Sequence, residues 1–345
     1  LCIISGLINS DVILLTFSLR LFLTYCFCVV MIPNLLLKNS SSENAVGTVK
    51  NAFLYSHLPL ILVPLIINGI VYNSYRAYQG IYYNPNSFAI ALTSLMILNI
   101  SEIFYFLEGL VFKSGTVSKK KIIANLSMFL LLFLLVIISQ SRTAIIVVIS
   151  QIIILTFIVT KKSHSKGKLK INAIIKLIMI LLLGVLIIFI VYYYTGVGKL
   201  FEEFIISKFE YKSADVLDGR RIAWSAAIDD INFFGHGSDF FIGTVRAHNT
   251  YINILARQGL GPLIVFVIFL ARVLRVAYIY TKGNTNNSLK YLPFLSIFTF
   301  VIYSITEDMM FRVIMFLSFF LYGIVCRSLK KKGRENENKC NNSNL

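Results

Sequence analysis

Nine stretches of roughly twenty apolar residues run through this chain, and they restrict its fold before any other feature is weighed. A peptide group in hydrocarbon has no water to bond, so a segment that crosses a bilayer must satisfy its backbone internally, and a helix of ~20 residues does so. The candidate spans are Val12 to Leu37, Leu54 to Tyr72, Ser87 to Phe112, Ile122 to Ser139, Thr143 to Thr160, Ile171 to Tyr194, Leu260 to Tyr280, Tyr291 to Thr306 and Met309 to Cys326. Leu1 to Ile8 is apolar too, and reads as the remnant of an earlier span in an N-terminally truncated chain. The expected fold is all-α: a polytopic integral membrane protein with about nine or ten transmembrane helices, forming a single membrane domain over residues 1–345. Composition agrees. Residues are 57% hydrophobic and only 14% charged, against about 25% charged in an ordinary soluble domain, which excludes a water-soluble globular fold.

The formal charge of +17 would suggest a nucleic-acid partner in a soluble protein. Here the cations sort by loop instead. Twenty-one of the 33 Lys and Arg fall in one alternating set: Lys38 and Lys50; Lys113 with Lys119 to Lys121; Lys161 to Lys170; Arg272 to Lys290; and the tail from Arg327. The positive-inside rule makes that set cytoplasmic, with residues 327–345 a basic cytoplasmic tail. No nucleic acid is needed to account for the charge. Arg20 and Lys176 lie within spans, where a charge is a functional hypothesis unless it snorkels.

The opposite set carries the chemistry. It holds Asn73 to Asn86, the tight turn Gln140-Ser141-Arg142, the turn at Glu307 and Asp308, and one long extracytoplasmic loop, residues 195–258. That loop contains the only tryptophan, Trp224. Leu200, Phe201, Phe204, Ile205 and Phe209 repeat at helical spacing and suit an amphipathic helix on the membrane surface. Asp218 can cap a short helix opening near Arg220, Gly235-His236-Gly237 forms a turn, and His248-Asn249 precedes a second short helix.

At these residues the sequence resembles the O-antigen polymerase and O-antigen ligase superfamily of bacterial polysaccharide enzymes. His248-Asn249-x-x-Ile252 with Gly259 seven residues on is similar to that family's His-Asn-x-x-Leu…Gly block, with Ile252 in place of Leu. Arg220-x-x-x-Trp224 before Gly235 and Gly237, the Gly80…Asn84-Pro85-Asn86 turn, and Gln140-Ser141-Arg142-Thr143 resemble its other motifs. The likeness covers about residues 60 to 326. It implies a GT-C-like membrane glycosyltransferase, inverting and free of metal or other cofactor, in the bacterial cytoplasmic membrane with its site facing outward. It also implies the substrate: undecaprenyl-diphosphate-linked oligosaccharide repeat units as donor and acceptor, polymerised into O-antigen or capsular polysaccharide. Membrane lipids, a chain-length regulator and a flippase would be its partners.

The residues allow that chemistry. A diphosphate leaving group needs fixed positive charge, and arginine stays charged and binds phosphate oxygens in pairs. Arg142, Arg220 and Arg221 are the candidate catalytic cations, with Arg76 beside them in substrate binding. The acceptor hydroxyl needs a base; His248 has a suitable ordinary pKa, and Glu307 and Asp218 compete for the role. Asn84, Asn86, Trp224, Asn249 and Glu307 complete the expected substrate-binding set. Plainer uses stand beside each: Arg142 can snorkel to headgroups, His248 can cap a helix, and Asn84 and Asn86 can build the turn before Pro85. The acids Glu202-Glu203 and Asp229-Asp230 are adjacent pairs that diverge on a helix, the four histidines are scattered, and Cys26-x-Cys28 has neither redox nor zinc spacing. A metal site is not expected. Rival functions are a ligase that moves finished glycan to lipid A-core or another acceptor, a flippase or transporter of the lipid-linked unit, and a non-catalytic assembly subunit.

Overall fold

The computed structural model describes residues 1–38, 40–71, 77–112, 118–165, 220–241, 247–283 and 287–342. The expected span at 171–194 and the amphipathic stretch at 200–209 lie outside them. No β-strand forms among the described residues. Among the described residues seven helices are long and apolar enough to cross a membrane, as a multi-pass membrane protein requires, and Leu292–Thr306 is a shorter apolar helix.

The chain divides into two compact units, Leu1–Phe53 with Leu217–Leu345, and Leu54–Val216. The first contains α1 (Cys2–Ile8), α2 (Val12–Tyr25), a π-helical turn at Cys26–Met31 and α3 (Ile32–Lys38). α4 (Ser42–Asn68) contains the boundary between units and starts well before the expected Leu54, since Ser42 to Phe53 is polar enough to extend beyond an apolar core yet still helical. The second unit continues with α5 (Pro85–Phe112), α6 (Lys119–Ile138) and α7 (Arg142–Ser165). The first resumes with α8 (Arg220–Asp229), a 3₁₀ turn at Ser238–Phe241, α9 (Thr250–Gln258), α10 (Leu260–Lys282), α11 (Leu292–Thr306) and α12 (Val313–Asn342). The last span was expected from Met309, but Asp308 to Arg312 form a turn and the helix opens only at Val313. Phe311, with φ +59°, is left-handed there, which no helix continues through.

In the second unit α5 packs against both α6 and α7. It is the most buried of the spans, with 78% of its apolar window inside. Two carboxylates on it are also buried, and each has a cationic partner: Glu102 meets Lys121 at 3.3 Å and accepts from Asn125 Nδ2 at 2.6 Å, and Glu108 meets Lys162 at 2.7 Å. These pairs lie at the lysine-rich ends of α6 and α7. At the opposite ends, Tyr78 N–H donates to the Ile138 carbonyl, tying the loop before α5 to the end of α6.

In the first unit α10, α11 and α12 pack on one another, and α12 packs along the π-turn and α3. Gly323 makes that approach possible: a Cβ there would stand 2.6 Å from both the Val29 carbonyl oxygen and Pro33 Cγ. Small residues at such crossings let helix backbones close in. A second close approach shapes the loop face. The segment Asn232 to Gly237 runs along the break between α9 and α10, with backbone bonds from Leu260 to Asn232, Gly261 to Phe233, His236 to Ala256 and Gly237 to Arg257. Gly259 sits at the crossing with φ +104°, and a Cβ on it would fall 2.3 Å from the Phe233 carbonyl oxygen. Gly259→Ala therefore strains both the dihedral and the crossing, a cost of about 3 kcal/mol. The variant should show a clearly lower Tm than wild type in detergent. Gly47→Ala, where nothing lies within 4 Å, should not; equal effects from both would discount the crossing.

Candidate functional site

The polar chemistry of the first unit gathers where α8, α9 and the α11–α12 turn meet. α8 buries one stripe: Ala223 and Ala227 are buried, and with Phe241, Ala247 and Ala256 they form a small apolar cluster on which Trp224 also packs. Arg220 lies on the same stripe, four residues before Trp224, and is half-buried. Arg221 is rotated off the stripe and exposed. Trp224 Nε1 donates to the Ala247 carbonyl at 2.7 Å, so the indole anchors the residue next to His248.

Asn249 is the N-cap of α9. Its side chain accepts from the N–H groups of Tyr251 and Ile252, and its backbone is extended. His248, one residue earlier, has φ +46°. A non-glycine residue held in that region carries strain that the surrounding contacts must sustain. The result aims the imidazole at α11's end: His248 Nδ1 lies 3.4 Å from Glu307 Oε2. Glu307 Oε1 lies 3.8 Å from Arg220 Nη2, and Arg220 Nη1 donates to the Thr306 carbonyl at 2.8 Å. The Glu307 side chain is 12% exposed, while that of His248 is 43% exposed. One shielded carboxylate thus stands between a guanidinium and an imidazole, with the imidazole edge open to solvent.

The backbone of that turn is equally well held. Thr250 Oγ1 donates to the Glu307 carbonyl and accepts from Met309 N–H, and Asn253 Nδ2 donates to Asp308 Oδ2. The adjacent acids have separate uses: Asp308 ties α9 to the turn, and Glu307 faces the basic pair. Tyr251 donates to the Val301 carbonyl, and burial pushes its phenol up to about 12, so it stays protonated near neutral pH.

In the second unit, Asn84 caps α5: its Oδ1 accepts from Ser87 N–H at 2.7 Å, and Pro85 takes the first helical position. Asn86 is half-buried on the same first turn. Gln140, at φ +55°, makes the sharp turn that puts Arg142 first on α7. Arg76 lies outside the described residues. Arg220, Trp224, His248, Asn249 and Glu307 are therefore brought together with Arg221 beside them, while Arg142, Asn84 and Asn86 stand on the other unit. Among the described residues no three His, Cys, Asp or Glu side chains converge to hold a metal ion.

Compared with known proteins, the chain matches no family, no curated protein and no solved structure.

Sequence reasoning passed over Asp11, Thr250, Asn253, Glu102 and Glu108. The two glutamates were legible as charges inside a span. Asp11 was legible as an acid preceding an apolar run. It caps α2 by accepting from Leu14 N–H, and its other oxygen accepts from Ser238 N–H, joining the N-terminal helices to the Gly-rich turn. Ser5 and Asn9 reinforce the join through the Phe234 carbonyl. Burial pushes the Asp11 carboxyl up, but the bonds from Leu14, Ser238 and Ile13 outweigh it, so its pKa lies below the usual carboxylate value. A depressed folded pKa contributes stability that is present above the unfolded value of about 3.9 and lost as pH falls through the folded one. Asp11→Asn should lower Tm at pH 7, and its deficit against wild type should shrink below about pH 4. A deficit independent of pH would remove the charge from the explanation.

Proposed function

We propose that this protein is a membrane glycosyltransferase that polymerises undecaprenyl-diphosphate-linked oligosaccharide units into O-antigen or capsular polysaccharide on the outer face of a bacterial cytoplasmic membrane. The observation that carries the proposal is the arrangement of Arg220 and Arg221 at the first two positions of α8, beside the His248–Glu307 pair. A helix N-terminus already bears partial positive charge, and cations are unfavourable there unless an anion is present. Arg142 opens α7 in the same way. Arginine at such ends is suited to a diphosphate.

In this reading the acceptor hydroxyl attacks the anomeric carbon of the donor as the bond from that carbon to the diphosphate oxygen breaks. The proton passes to His248 through Nε2, since Nδ1 faces Glu307. Glu307 balances the imidazolium that results, and Arg220, held by Thr306 and Glu307, keeps that carboxylate in place. Arg221 faces outward to take the charge developing on the leaving diphosphate, which is a large electrostatic term in catalysis.

A deletion strain complemented with Arg221→Ala or His248→Ala at wild-type protein levels should make single repeat units and no polymer ladder. For His248, loss of a general base corresponds to a rate lower by about 10²–10⁴-fold. Wild-type chain lengths from both variants would sink the site. Accumulation of long lipid-linked polymer in the deletion strain would mark a ligase, and units held on the inner leaflet would mark a flippase. Orientation has a separate test: reporters fused after residues 165 and 215 should report opposite sides of the membrane, the first cytoplasmic. Matching sides would overturn the topology.

A further inference from the structure

At the lysine-rich end of the first unit, the turn between α3 and α4 and the C-terminal part of α12 border an open recess of about 690 Å³. Lys38, Arg327, Lys330 and Lys331 line it together with Ser40 to Ser42, and among the described residues no acidic side chain does. None of the four cations is paired with a carboxylate among the described residues, unlike Lys121 and Lys162 of the second unit. Arg327 Nη1 is buried without a hydrogen-bond partner. α4 also begins here, with Asn44 N–H donating to Ser41 Oγ and Glu43 on its first turn. Four unpaired cations around one recess repel one another, and an unsatisfied buried guanidinium N–H costs free energy. An anion with several acceptor oxygens relieves both.

The end of α2, the π-helical turn and the first half of α12 border a second, apolar furrow of about 680 Å³, lined by Leu23, Phe27, Met31, Phe316 and Phe320. Phe316, Phe320, Arg327 and Lys331 are spaced four, seven and four residues apart along α12, so they share one face of that helix. From Phe320 to Lys331 the rise is roughly 16 Å, within reach of one fatty-acyl chain. A charged end and an apolar side on one helix face match a molecule with a phosphate head and a hydrocarbon tail.

We propose that this recess binds the phosphate headgroup of an anionic glycerophospholipid, with an acyl chain along the apolar furrow beside Phe316 and Phe320. The lipid is a bound structural ligand at the end of the helices away from the His248–Glu307 site, and its binding does not depend on the function proposed above. It ties α3 and α12 together by neutralising the cations that each contributes. Basic pockets between membrane helices are recognised sites for anionic headgroups.

The test is a titration of the purified full chain in detergent, read by native mass spectrometry, with phosphatidylglycerol and phosphatidylcholine of the same acyl composition. Phosphatidylglycerol should be retained in preference, as a discrete single adduct, and should raise Tm. Each basic side chain at a headgroup corresponds to about fivefold in affinity, so Arg327→Gln with Lys331→Gln should weaken retention roughly 25-fold. The exposed Lys330→Gln alone should weaken it about fivefold, and it serves if the double variant does not fold. Lys282→Gln, a lysine at the same end that sits over the Tyr278 ring, should leave retention unchanged. Equal retention of the two lipids, or full retention by the Lys330 and double variants, overturns the proposal. Displacement of the lipid by inorganic phosphate at equal concentration would also overturn it, because the site would then be one for free phosphate.

Discussion

An unpaired peptide group cannot be left in hydrocarbon, and most of what is distinctive in this protein follows from that constraint. Each apolar stretch closes its own backbone bonds by forming a helix, so chemistry that needs polar groups moves to the helix ends. Where carboxylates do remain within a span, as Glu102 and Glu108 do on α5, they are buried and each reaches a lysine at the end of a neighbouring helix. The cost of a buried charge is met by a partner rather than by water.

In the first unit the same constraint builds the candidate site at helix ends. α9 is short and begins on an Asn cap, and the left-handed residue before the cap is His248. The backbone crossing at Gly259 and Gly235 holds the loop against α9, and Trp224 fixes the strand of chain that delivers the imidazole. Glu307 then has one shielded carboxylate to offer two basic groups. Arg220 is engaged by the Thr306 carbonyl and by Glu307, so it orders the cluster, while Arg221, rotated off the packed stripe, is exposed.

The lysine-rich end obeys the opposite logic. Most cations there can remain solvated. The recess at Lys38, Arg327, Lys330 and Lys331 differs because its cations converge and one guanidinium nitrogen is shielded from water. Topological charge becomes a binding feature only when packing brings it together.

Hydropathy alone made the helical, multi-pass architecture legible, because ~20-residue apolar runs admit little else. Some apolar runs matched helices close to their observed ends, Leu260–Lys282 and Leu292–Thr306 among them. Boundaries slipped where polar residues stay helical beyond the apolar core, as at Ser42, or where a turn is itself apolar, as at Met309 to Arg312. Candidate residues were legible as types: arginines at helix starts, a His-Asn pair before a short helix, an acid at the end of α11. Their division of labour was not. Neighbouring residues such as Arg220 and Arg221, or Glu307 and Asp308, are nearly equivalent as sequence, since each is one charge beside another. Only the tertiary structure separated them, because a rotation of about 100° per residue along a helix, or a single hydrogen bond from Asn253, decides which charge is packed and which is presented.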